Sequence, residues 1–79
     1  MRVRIKAFGI LRKYIPSERN VFELEIESNH SVLDIVTNLK IPKDYIHAIT
    51  SQNHNKTVDF SYIPQDGDEI VLIPVMGGG

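Results

Sequence analysis

Asp66-Gly67-Asp68-Glu69-Ile70-Val71-Leu72-Ile73-Pro74-Val75 is the stretch on which the reading of this chain turns. Asp-Gly-Asp is a turn signal, because glycine accepts backbone angles that other residues avoid and aspartate bonds its own local backbone. The turn launches the most apolar run in the chain. A half-buried strand alternates apolar with polar residues, but this run is hydrophobic on both faces, which places it in the middle of a sheet. One of those faces can pack on a helix. The other, carrying Val71, Ile73 and Val75, needs a second cover or stays open.

Working outward, the partners of such a strand are visible. Residues 2–8 alternate, with Val3, Ile5 and Ala7 on one side and Arg2, Arg4 and Lys6 on the other. Residues 21–27 repeat the period, with Phe22, Leu24 and Ile26 inward and Glu23, Glu25 and Glu27 outward. An antiparallel pair of these strands sets a basic row against an acidic one, worth about 0.2–1 kcal/mol per opposed pair. The connection 9–20 is too long for a tight hairpin, and Ile10-Leu11-Arg12-Lys13-Tyr14 predicts a short helical turn stopped by Pro16. Ser31 followed by Asp34 resembles a capping box, and Val32, Leu33, Ile35, Val36 and Leu39 form one apolar stripe. The spacing predicts one helix over 31–40, limited by Pro42. Residues 46–51 read as a third strand, 53–55 as a turn and 58–60 as a brief fourth strand.

The order is therefore strand, strand, helix, strand, short strand, strand. One helix laid on one face of a mixed four- to five-stranded sheet, with the first and last strands central and parallel, is an α+β architecture of the β-grasp, or ubiquitin-like, kind. The expected organisation is a single domain over 1–74 followed by a flexible glycine tail over 75–79.

Composition narrows the function. A chain of 79 residues is one domain, and one of this size buries only about 60% of the surface its unfolded form exposes. Hydrophobic residues at 42% against 24% charged are ordinary for a globular domain. A net charge of −1 gives no reason to expect a nucleic-acid surface. The absence of cysteine removes thiolate metal sites, cysteine nucleophiles and disulfides, and suits the cytoplasm. No apolar run reaches the ~20 residues needed to cross a bilayer, so no membrane partner is expected. The charged start does not read as a signal peptide, so the sequons at Asn29 and Asn55 read as accidental. His30, His47 and His54 lack ligand spacing and no metal site is expected.

What remains is the end of the sequence, Gly77-Gly78-Gly79. Without Cβ atoms such a run can thread a channel too narrow for other residues and leaves a carboxylate unhindered. A frayed end or a linker remnant is the alternative reading. Attachment to the central apolar strand favours a functional one. The uncovered stripe Val71, Ile73 and Val75, with Phe8, Phe60 and Met76, reads as a partner surface, the alternative being that these residues belong to the core.

The chain resembles the sulfur-carrier family that includes the small subunit of molybdopterin synthase (MoaD) and the thiamine-pathway carrier (ThiS). The likeness spans the whole chain and is sharpest in two segments. Phe8-Gly9-Ile10-Leu11-Arg12 is similar to the family's Phe-x-x-Leu-Arg, and residues 66–79 to its Asp-Gly-Asp-Glu-Val, apolar strand, Pro-Pro-Val-x-Gly-Gly ending. Gly78 and Gly79 fall on the terminal di-glycine, Gly77 on the variable position, and Val75 replaces the second proline. Ser51-Gln52-Asn53-His54-Asn55 stands where the family often has Val-Asn-Gly. The resemblance implies that an E1-like adenylyltransferase uses ATP to adenylate the carboxylate of Gly79, with no cofactor bound permanently by the carrier. It implies that a persulfide sulfur donor converts the adenylate to a thiocarboxylate, which a second enzyme consumes. Phe8, Arg12, Phe60 and Ile73 match partner-contacting positions. Length, the Phe-x-x-Leu-Arg segment and the proline before the tail favour the molybdopterin branch, with the synthase large subunit as partner. A thiamine thiazole or other thiolation pathway, or conjugation to proteins through Gly79, are the alternatives.

Overall fold

The computed structural model describes residues 1–75. Five strands form one sheet: β1 (Arg2–Ala7), β2 (Val21–Glu25), β3 (Ile46–Ser51), β4 (Lys56–Val58) and β5 (Glu69–Pro74), in the order β2-β1-β5-β3-β4. Among the described residues the one α-helix, α1, spans Val32–Asn38, and two 3-10 turns occupy Gly9–Tyr14 and Lys43–Tyr45. β1 and β5 run parallel at the centre, and the other three pairs are antiparallel. This is the β-grasp arrangement that the element order predicts.

Strand pairing follows the charge pattern. Arg2 stands opposite Glu25 and Arg4 opposite Glu23. Arg2 Nε lies 3.2 Å from Glu25 Oε1, and the amino group of Met1 lies 3.3 Å from Glu25 Oε2. Arg4, however, reaches the other way, with Nε 3.7 Å from Glu69 Oε1 on β5. Arg2, Arg4 and Glu25 are largely solvent-exposed, so these pairs select register more than they stabilise.

The core lies between the sheet and α1. Val3, Ile5 and Ala7 from β1, Ile49 from β3, and Ile70 and Leu72 from β5 meet Val32, Ile35 and Val36 of the helix. Leu11 and Ile15, from and just after the first 3-10 turn, complete it. Phe22, Leu24 and Ile26 pack at its margin.

The helix is shorter than the 31–40 expected. Ser31 Oγ accepts from the Asp34 N–H, and the Asp34 carboxylate accepts from the Ser31 N–H at 3.0 Å, closing the capping box. At the other end, the Ile41 N–H donates to Val36 C=O and the Lys40 N–H to Thr37 C=O, with Lys40 at φ 61°. That paired closure is a Schellman turn, with the buried Ile41 as its apolar contact. It ends the helix before Pro42 is reached. Hydrogen bonding from the Ser31 backbone holds the Asp34 carboxyl below its ordinary value. A depressed carboxyl contributes stability that is present above its unfolded-state pKa and lost as pH falls through the folded one. Ser31→Ala is expected to cost about 1 kcal/mol in urea unfolding at neutral pH, and to weaken this acid-dependent component in the same series at lower pH.

The fourth strand is also displaced from the expected 58–60. It begins at Lys56 because the four-residue turn after Ser51, with Asn55 at φ 51°, returns the chain directly into register with β3. It ends at Val58 because the Asp59 carboxylate accepts the Ser61 N–H at 2.9 Å, a local turn that competes with the ladder. Of the expected tail over 75–79, only Val75 lies among the described residues.

Candidate functional site

The last strand leaves the sheet between two supports. On one side the Val75 N–H donates to the Tyr45 carbonyl at 3.0 Å, and Pro74 stands in register with Ile46. On the other, Pro74 approaches Gly9, the residue that turns the chain out of β1. Gly9 has φ +57°, and a Cβ there would lie 3.2 Å from Pro74 Cγ. Glycine is favoured twice over at this position, by a backbone angle that other residues adopt at a cost and by the tight approach of Pro74. Gly9→Ala is expected to destabilise by about 1–2 kcal/mol and to shift the Pro74 and Val75 resonances in a 13C-resolved spectrum. Unchanged Pro74 shifts would show that the close approach does not matter.

Exposed apolar side chains gather by sequence and contact around this exit. Phe8 is 40% exposed, Ile10 43%, Tyr45 40% and Val75 37%. Lys6 Nζ lies 5.6 Å from the centroid of the Phe8 ring, a cation held over an apolar surface. Arg12, from the Gly9–Tyr14 turn, is exposed, with one guanidinium nitrogen 3.4 Å from the Glu18 carbonyl. Pattern reading missed Tyr45 and Ile10. Tyr45 sits in a 3-10 turn that carries no period, and Ile10 looked like one apolar residue of a helical turn.

Six of the seven expected interface positions are described, and they differ in exposure. Phe8, Arg12 and Val75 are exposed and Ile73 is half-buried. Val71 is 8% exposed although it faces away from the helix. It stands on a central strand between Lys6 of β1 and Thr50 of β3. Val71 is thus not an open contact residue. Phe60 is half-buried against the core, with Lys43 Nζ 5.7 Å from its ring centroid, and its carbonyl accepts the Leu33 N–H. It belongs to the helix side, away from the stripe that sequence reading assigned it to, because β4 ends two residues before it. Met76, Gly77, Gly78 and Gly79 lie outside the described residues.

A second polar constellation was not legible in the sequence. Asp68 is fully buried, and its carboxylate accepts from Ser51 Oγ at 3.0 and 3.1 Å, from Tyr62 Oη at 2.7 Å and from the Asn53 N–H at 3.3 Å. Burial holds the Tyr62 phenol above its ordinary pKa, a shift that the Asp68 carboxylate increases and Ser51 opposes. Every member has a partner, which marks the group as a structural brace. Among the described residues, no three His, Cys, Asp or Glu side chains converge as a metal site. Likewise no described helix is long and apolar enough to cross a membrane.

Comparison with known proteins agrees with this geometry. The family profile described as Mut7-C ubiquitin matches residues 1–77. No curated protein matches the sequence. Several solved structures share the fold at low identity. Small archaeal modifier protein 1 of H. volcanii superimposes with a TM-score of 0.69 at 15% identity, covering 92% of this chain and 95% of that one. A chain from the complex of subunits 1 and 2 of molybdopterin-converting factor of Helicobacter pylori gives 0.63 at 21% identity, covering 100% of both. A ubiquitin of Caldiarchaeum subterraneum gives 0.65 at 23% identity, covering 100% of this chain and 98% of that one.

Proposed function

The chain belongs to the Mut7-C ubiquitin family, and from that premise we propose that it is a ubiquitin-like sulfur carrier working through the carboxylate of Gly79. The observation that carries this reading is the join of a rigid exit to a run of three glycines. Pro74 and Val75 are fixed by Gly9 and the Tyr45 carbonyl, and the glycines follow within two residues. A rigid root with a slim extension suits delivery of an acyl group into another protein's active site. The carrier itself supplies no acid, base or metal.

In this reading Gly79 is the terminal residue of the working chain. Its carboxylate attacks the α-phosphorus of ATP on an E1-like adenylyltransferase, releasing pyrophosphate. The terminal sulfur of a donor's persulfide then displaces AMP from the acyl carbon, and a thiol cleaves the resulting acyl disulfide to leave a thiocarboxylate. ATP is thus a substrate of the activating enzyme. The exposed apolar rim of Phe8, Tyr45 and Val75, with Arg12 beside it, is the proposed docking surface. The molybdopterin branch is the leading assignment, with the synthase large subunit as partner, supported by the likeness to the Helicobacter pylori converting-factor complex. Transfer to a thiamine thiazole or another thiolation pathway follows the same first steps.

A second reading, conjugation of Gly79 to protein lysines, is favoured by the likeness to the archaeal modifier and to the Caldiarchaeum ubiquitin. Incubation with the activating enzyme, ATP and a persulfide donor separates the two. Sulfur loading replaces one terminal oxygen by sulfur, a gain of about 16 Da in intact mass. Conjugation leaves glycine remnants on target lysines after proteolysis. Neither product, with an active partner enzyme present, would sink both readings.

A further inference from the structure

The two edges of the sheet are unlike. β4 is three residues long, whereas β2 is five residues of extended chain with nothing paired beyond it among the described residues. Met1 and Ile26 exchange backbone hydrogen bonds at 2.8 Å in both directions, and the Ala7 N–H donates to the Asn20 carbonyl. Antiparallel ladders alternate, so Phe22 and Leu24 turn their backbone groups toward β1. Val21, Glu23 and Glu25 therefore turn theirs outward, and no described hydrogen bond uses them.

The side chains flanking this row are sorted by face. On the helix side Phe22, Leu24 and Ile26 are half-buried, leaving an apolar shelf along the edge. On the other side stand the exposed carboxylates of Glu23 and Glu25. Glu25 is shared with Arg2 and the amino terminus, but Arg4, the residue opposite Glu23, is drawn to Glu69. Glu23 has no ion pair among the described residues. Two copies of this edge laid antiparallel would set glutamate against glutamate, which discourages self-association. Arg19, just before the strand, bounds the acidic segment at its Val21 end.

We propose that the β2 edge is a docking site for an extended peptide segment of alternating apolar and basic residues, which adds to the sheet as a sixth strand. Its backbone would bond to the outward N–H and C=O groups of Val21, Glu23 and Glu25. Its apolar residues would lie on the Phe22–Leu24–Ile26 shelf and its lysines or arginines against Glu23 and Glu25. β1 separates this edge from β5, so a partner could hold the domain here while the tail exit stays open. The site is independent of any chemistry at Gly79.

The test uses the 15N-labelled chain with two acetylated heptapeptides, Lys-Val-Lys-Val-Lys-Val-Lys and its glutamate counterpart. The lysine peptide is expected to shift the amide resonances of Val21, Glu23 and Glu25 and to slow their hydrogen exchange several-fold. The inward-bonded amides of Phe22 and Leu24 should change far less. Glu23→Gln should weaken binding about two- to fivefold, the effect of losing one cross-strand charge pair, and Glu23→Lys should reverse the preference between the peptides. Neither variant removes an ion pair or a buried group, so a dispersed spectrum is expected for both. Equal binding of the two peptides, or shifts confined to another surface, would overturn the proposal. So would unchanged exchange at all three amides with millimolar lysine peptide.

Discussion

Removing Gly78 and Gly79 is expected to abolish sulfur loading completely while leaving the unfolding curve of the domain unchanged. The effect is all-or-none because the terminal carboxylate then sits on Gly77, up to ~7 Å closer to the domain, and falls short of the activating site. The folding part of the expectation rests on where the core ends. Ile70 and Leu72 are fully buried, whereas Val75 is already 37% exposed, so among the described residues burial falls away before the exit. Gly77 allows a finer comparison. Replacing it with alanine should reduce loading modestly, since it falls on the position where the resemblance tolerates variation. Replacing Gly79 with alanine should be far more damaging, because a Cβ then sits on the reacting carbon's neighbour. Full loading of the chain lacking both glycines would rule out Gly79 as the acceptor.

The second large effect is expected at Asp68. Asp68→Ala leaves the buried Ser51 hydroxyl, the Tyr62 phenol and the Asn53 N–H without their shared acceptor. Each buried polar group left unpaired costs about 1–3 kcal/mol, and Ser51 and Tyr62 can still bond one another in part. A loss of about 3 kcal/mol is expected, against a total stability on the order of 5–10 kcal/mol for a domain of this size. Asp68→Asn should lose less, because the amide keeps an acceptor and adds donors that Ser51 Oγ or Tyr62 Oη can take. The phenol supplies an independent readout. A raised phenol pKa contributes stability that is present below the ordinary tyrosine value and lost as pH rises through the folded-state value. Asp68→Ala should bring the Tyr62 titration down toward the ordinary range, followed by ultraviolet absorbance. A destabilisation under 0.5 kcal/mol, the size of an ordinary surface substitution, would show that the brace carries nothing.

Much of the architecture follows from local pattern. The two-sided run Ile70-Val71-Leu72-Ile73 had to be central, and the opposed rows of Arg2 and Arg4 against Glu25 and Glu23 had to pair antiparallel. Ser31 and Asp34 announced the helix start because a capping box is closed within four residues. These signals survive because each depends on neighbours in sequence or on a burial period. Boundaries fared less well where a competing turn intervened. The Schellman closure at Lys40 shortened the helix, and the Asp59–Ser61 turn ended β4 before Phe60.

For the proposed working end, the sequence alone determined that three glycines follow a central apolar strand. Only the tertiary structure decided what holds that strand's exit. Gly9 meets Pro74 and the Tyr45 carbonyl meets the Val75 N–H, both from far away in sequence, because parallel β1 and antiparallel β3 flank β5. The same packing buried Val71 on a strand between β1 and β3, and drew Asp68 out of an apparent surface turn to receive Ser51 and Tyr62. Period and composition report which residues prefer the interior. Which of them meet, and which polar groups are enclosed with them, depends on contacts between segments far apart in the chain.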